Sequence, residues 1–253
     1  MKKIAVALLV PWLMVANMAS AAITRNALDQ VAVSVWQVRS AFHAFTVMNG
    51  DRKYEGQLAD VIDLGNDNVA LLAEEAETDA ELGLVTELED MWRRYTDLAD
   101  SNEIVDLGYT DRYTVLDLDT LALDMHQRLL TAREERDGQG ADLMTLAVKL
   151  QRIASEYMGI AASPDGGGTV GFGEGRLDFK EAVPEFEQLL EQAQAKYAGN
   201  EMVTRSLNQV AAKWNFMRES LVKFYENSVP FVVHRYSGSM VDSLQLAVIM
   251  MDS

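Results

Sequence analysis

The sequence predicts an all-α protein of two tandem up-down four-helix bundles with long antiparallel helices, and three observations predict it. Apolar residues recur at steps of three and four in eight long segments, the spacing that gathers them on one helical face. No stretch sustains the two-residue alternation of a strand. The second half also repeats the first. Trp92, Asn102, Arg112-Tyr113-Thr114 and Leu118-Asp119-Thr120-Leu121 are followed later by Trp214, Asn227, Arg235-Tyr236-Ser237 and Val241-Asp242-Ser243-Leu244. The Trp-to-Arg separation is 20 residues in one tract and 21 in the other, and the tract from the Arg onward aligns without a gap. Self-similarity on this scale marks a repeated structural unit.

Met1-Lys2-Lys3, an apolar run from Ile4 to Ala16 and then Ala19-Ser20-Ala21 follow the charged, apolar, small order of a secretory signal peptide. The run is short for a membrane span and contains Pro11, which favours cleavage after Ala21 over an uncleaved anchor. Residues 1–21 are therefore set apart, and the repeats are placed at 22–137 and 141–253. Without Lys2 and Lys3 the chain keeps 20 Lys and Arg against 39 Asp and Glu, a net charge of −19. That field repels nucleic acid and anionic lipid. No cysteine is present, so disulfides, thiolate metal sites, thiol nucleophiles and covalently attached haem are excluded. These traits together lead to the expectation of an exported, acidic, periplasmic protein.

Taken in order, the first expected helix covers 27–48, with Leu28, Val31, Val35, Val38, Phe42 and Phe45 on one face and Asn49-Gly50-Asp51 as its stop. A second runs over 52–77, bent at Gly65, and a third over 79–101 with Val85, Leu88, Trp92, Tyr95 and Ala99 in one stripe. After a break around Gly108 a fourth covers 111–136, and Gly138-Gln139-Gly140 is the expected boundary. The second half restarts with a helix over 141–162, followed by Ser163-Pro164-Asp165 and a glycine-rich loop to Gly175. Pro184 fits only near the start of the next helix, over 178–198. From 200 to 227, Val203, Leu207, Val210, Trp214, Met217, Leu221 and Phe224 keep heptad spacing, which favours shallow-angle packing. Pro230 is the expected end of that helix, and a last helix carries Met240, Leu244, Val248 and Met251.

Gly166-Gly167-Gly168-Thr169-Val170-Gly171 matches G-x-G-x-x-G, but a dinucleotide fingerprint needs a strand before it and a helix opening within it. A connection between helices is the better account. His43, His126 and His234 lie far apart, and none has a Glu three residues before it, so the di-iron bundle pattern is missing. A haem held by His and Met has no distinguished ligand pair, and methionines filling core gaps explain the composition better. The runs Glu74-Glu75 and Glu134-Glu135 read as solvated helix faces. No nucleophile elbow, triad or isolated carboxylate pair supports catalysis; no metal, no cofactor and no enzymatic activity are expected. The repeated Trp reads as core. Arg112 and Arg235 are more informative. Each opens a helix, where the dipole disfavours a cation, so an ion pair is expected there, with an anion site as the alternative.

Leu150-Gln151-Arg152-Ile153-Ala154-Ser155-Glu156-Tyr157 resembles a signature of the PilJ/NarX-like periplasmic sensor domain, the input module of type IV pilus chemotaxis transducers and nitrate/nitrite sensor kinases. Trp214 and the apolar segment 237–251 resemble later features of that family. Trp36-Gln37-Val38-Arg39-Ser40 is the weaker first-half counterpart, which sets Arg39 opposite Arg152. The resemblance implies a helical bundle that binds a small ligand and passes on a helix displacement. The family's anion-binding Arg falls at Ala147 here and near Ser34 in the first half, so nitrate recognition is not carried over. The sequence shows no transmembrane helix, methyl-accepting segment or kinase after Ser253; the expectation is a protein that presents its state to a membrane-bound transducer or kinase. The ligand expected is a small anion or carboxylate, held by Arg39, Arg152, Arg112 and Arg235. A homodimer is compatible with this reading, nucleic acid is not, and the rival reading is a structural or interaction protein of the envelope.

Overall fold

A computed structural model describes residues 23–134, 136–163 and 175–251. The expected signal peptide, most of the glycine-rich loop and Glu135 lie outside the described residues. Within the described residues the protein is all-α: α1 (Arg25–Val47), α2 (Arg52–Glu75), α3 (Asp79–Asp100), α4 (Ile104–Leu107), α5 (Arg112–Arg133), α6 (Ala141–Ala162), α7 (Phe179–Lys196), α8 (Glu201–Val222) and α9 (Pro230–Met251).

Short polar side chains start most of these helices by accepting a backbone N–H that has no partner inside the helix. Thr24, Asp51, Asp111, Asp178 and Asn200 cap α1, α2, α5, α7 and α8. Thr78 and Glu81 form a reciprocal capping box on α3. α1 stops where Asn49 and Gly50 turn left-handed, at φ 54° and 73°, as the sequence predicts.

Two features differ from expectation, and a third adds to it. α4 is a single turn, too short to show periodicity, and it ends at left-handed Gly108. Pro230 does not stop α8, which ends earlier, at Val222; it begins α9, where a residue lacking N–H sits without loss. Gly65 does not interrupt α2. It is buried there, and a Cβ on it would meet the Trp92 ring at 2.2 Å, so the missing side chain is the seat of that indole.

Side-chain pairs fix the directions. Arg133 meets Asp29, His126 meets Trp36 and Asp119 meets Arg39, so α5 runs antiparallel to α1. Ser40 meets His234 and Gln30 meets Gln245, so α9 is antiparallel to α1 as well. Trp36 meets Gln151 and Arg39 meets Ser155, so α1 and α6 run parallel. α1 packs on α2, α3 and α5; α6 packs on α7 and α9, with α8 between those two; and the most extensive contact of all joins α1 to α6.

That central pair is where the expectation of one apolar face fails. α1 buries 16 of its 23 residues, whereas α3 buries six of 22. α1 and α6 are covered on nearly every side, and one continuous apolar cluster runs through both halves of the chain. The expected boundary at Gly138–Gly140 is seated within this body: Asn26 donates to the Gln139 carbonyl, and Gly140 lies against Val248.

Candidate functional site

Because α1 and α6 are enclosed, their polar residues depend on neighbouring helices for partners, and the largest such group joins α1, α5 and α6. Trp36, Arg39 and His43 share a face of α1 at spacings of three and four, and α6 opposes them with Arg152, Ser155, Glu156 and Gly159. Arg39 forks onto Asp119 of α5, Nε to Oδ1 at 2.7 Å and Nη2 to Oδ2 at 2.9 Å, and donates from Nη1 to Ser155 Oγ at 3.1 Å. Glu156 Oε2 is 3.6 Å from the same Nη1. His43 Nε2 lies 3.4 Å from Asp119 Oδ1. Gly159 makes room for the cluster, since a Cβ there would come within 3.0 Å of Arg39 Nη2 and 3.4 Å of His43 Nε2.

Trp36 links this group to a second one. Its indole N–H donates to His126 Nδ1 at 3.2 Å, and Arg39 and Arg152 both stand over its ring, 6.0 and 5.4 Å from the centroid. Arg152 donates to the Gly175 carbonyl at 2.8 Å and lies 3.5 Å from His126 Nε2. The two arginines matched in the sequence are thus brought together about one tryptophan.

The charge states follow from this enclosure. Burial by itself would raise the Asp119 carboxyl, but the Arg39 charge and the contacts from His43 and Arg39 hold it well below the usual carboxylate range. Burial depresses His43, and Arg39 adds to that against the opposing pull of Asp119. His126 is pushed down to about 3 by burial, then by the charges of Arg152 and Arg133. Both imidazoles are neutral at pH 7.

Arg112 and Arg235 are placed differently. Both are exposed, and neither makes an ion pair among the described residues, so the ion pair expected at the starts of these helices is not formed. Each instead lines a cavity. Arg112 stands at one of about 340 Å³ bounded by His43 and Thr46 of α1, Val115 of α5 and Gly159 of α6, beside a hydrogen-bonded set of Thr46, Asn102 and Thr110. Arg235 lines a more open groove of about 640 Å³ between α2 and α9. The repeated tryptophans are core, as expected: Trp92 is 4% and Trp214 2% exposed, and each donates its N–H to the preceding helix, to Asn66 and to Glu187.

Sequence spacing does not assign Asp119 or His43 to this region, whereas Trp36 and Gln151 stand in the two segments whose resemblance sets Arg39 opposite Arg152. Asp119 leaves a signal as the acidic residue inside an otherwise apolar, repeated tract. Among the described residues no group of three His, Asp or Glu side chains is arranged to hold a metal ion, and no helix is long and apolar enough to cross a membrane. No family model, no curated protein and no solved structure matches this chain.

Proposed function

We propose that this is a non-enzymatic, exported, sensor-like protein of the PilJ/NarX type, built of two tandem four-helix bundles that meet along α1 and α6. It binds a small anion or carboxylate and relays that state to a membrane-bound transducer or kinase. The observation that carries the reading is the placement of Arg112. An exposed guanidinium without a carboxylate partner among the described residues stands beside a cavity walled by α1, α4, α5 and α6, with the Thr46 and Thr110 hydroxyls at hand. Arg39 is taken up by Asp119, so it braces the wall behind the cavity rather than receiving the ligand.

A ligand held there touches α1, α5 and α6 at once. If it fits one setting of those helices better than another, binding shifts the population between them, which is all that a relay requires. In a thermal-shift screen of small anions and carboxylates at millimolar concentration, a binder raises the melting temperature by linkage, and Arg112→Ala removes the rise. A screen without a single shift rejects the proposal.

The envelope-interaction reading is supported by a different observation. Phe216 is 68% and Tyr225 80% exposed, large apolar surfaces of the kind that partners cover. Capture of a partner that survives Arg112→Ala and is lost in Phe216→Ala favours that reading.

A further inference from the structure

The groove between α2 and α9 differs in chemistry from the cavity beside Arg112, and we infer that it is a binding site for a short peptide with free termini. The inference rests on the binding reading above and names a second ligand class and place for it. Its floor carries Gln151 of α6, only 3% exposed, whose Nε2 reaches the Trp36 carbonyl at 3.5 Å and whose Oε1 accepts no hydrogen bond. Across the groove Gln57 of α2 likewise has a buried Oε1 without a donor. A buried amide oxygen favours an N–H partner, and two glutamines with such oxygens line this one groove, which suits a ligand that carries several N–H groups.

The charges on the rim narrow the class. Arg235 and Lys53 supply cations, and Asp60 and Asp242 supply carboxylates. None of the four makes an ion pair among the described residues. Both signs unpaired in one groove match a zwitterion; a simple anion would meet the aspartates. Tyr54 and Phe231 offer aromatic surface for a side chain between those ends, and Leu64 is 46% exposed at the edge. The volume of about 640 Å³ falls in the range of small-ligand sites. Peptide N–H groups answer the glutamine oxygens, the carboxylate end meets Arg235 and Lys53, and the ammonium end meets Asp242 and Asp60.

Calorimetric titration of the full chain with trialanine tests this, beside the same peptide acetylated at its N-terminus or amidated at its C-terminus. Binding of trialanine is expected, at least tenfold weaker when either end is blocked. Arg235→Ala, at an exposed position, weakens it at least tenfold, and Gln151→Leu abolishes it; should Gln151→Leu fail to fold, Gln57→Leu gives the same reading. Arg112→Ala leaves it unchanged. Absence of trialanine binding, equal binding of the blocked peptides, or binding undiminished in Arg235→Ala overturns the inference. If trialanine fails to bind while acetate or another small anion binds and is lost in Arg112→Ala, the inference falls and the proposed function stands. If neither class binds, both fall.

Discussion

In α5 the aspartate of the aligned tract, Asp119, is 8% exposed and grips the Arg39 fork, whereas its counterpart in α9, Asp242, is exposed and makes no ion pair among the described residues. The tracts around them, Leu118-Asp119-Thr120-Leu121 and Val241-Asp242-Ser243-Leu244, are nearly the same. What differs is the helix opposite. α1 presents Arg39 and His43 to α5, while the groove beside α9 meets Gln151, Gln37 and Ala41. One tract closes on a buried ion pair and the other leaves its charges facing an open groove. Local sequence set the helix; the partner face set the chemistry.

The largest test of this contrast is to remove each carboxylate in turn. Asp119→Ala leaves Arg39 buried beside a lost partner and should cost roughly 3–5 kcal/mol. Asp242→Ala should stay within about 0.5 kcal/mol. Urea unfolding of both variants checks the difference, and equal effects would break the comparison.

Acid should act through the histidines of α1, α5 and α9. His126 and His43 have folded-state values below the ordinary one, so the unfolded chain takes up their protons first as pH falls through about 6.5. Stability is therefore full above that pH and declines toward the folded value, about 3 for His126, by up to about 1.4 kcal/mol per pH unit for each proton. Glu81, held down to about 2 by the Thr78 and Glu77 backbone and by Arg136 against the effect of burial, adds a further loss between about pH 4.5 and 2. Position 126 aligns with Ile249, which is 63% exposed, so that position of α9 carries no titration, but His234 at the start of α9 is held below its ordinary value by burial and then by the Lys53 charge and adds a loss of the same sign. Urea midpoints against pH should show the decline, and His126→Gln should flatten it between about pH 6 and 4.

Two glycines give a smaller contrast. Gly159→Ala drives a methyl against Arg39 and His43 and should destabilise by about 1–3 kcal/mol. Gly238→Ala in α9 meets nothing within 4 Å and should stabilise by roughly 0.5–1 kcal/mol through helix propensity. Thermal melts of the two variants should move in opposite directions.

Much of the fold was legible because its signals are local. Val203, Leu207, Val210, Trp214, Met217 and Leu221 are all buried as their heptad spacing predicts, and Asn49-Gly50 ends α1 where the sequence places the stop. Pro230 was misread because proline breaks a helix from behind and opens one from the front, and only the fold of residues 223–229 decides which. Arg39 and Arg152 were matched by sequence and do meet, but around Trp36, a residue whose role no spacing rule reveals. Arg112 and Arg235 were singled out for a pairing that is not formed.

The sequence by itself determined that the chain is helical, where most helices begin and end, and which stripe of each outer helix turns inward. These depend on capping side chains and on the 3.6-residue period, which act within a few residues. Only the tertiary structure decided that α1 and α6 are enclosed on nearly all sides and that Asp119 is consumed while Asp242 makes no ion pair among the described residues. It alone decided that Gln151 lies under a groove with its oxygen unpaired. Those outcomes depend on which faces meet across more than a hundred residues of chain, and a buried polar group takes its character from the partner it meets there.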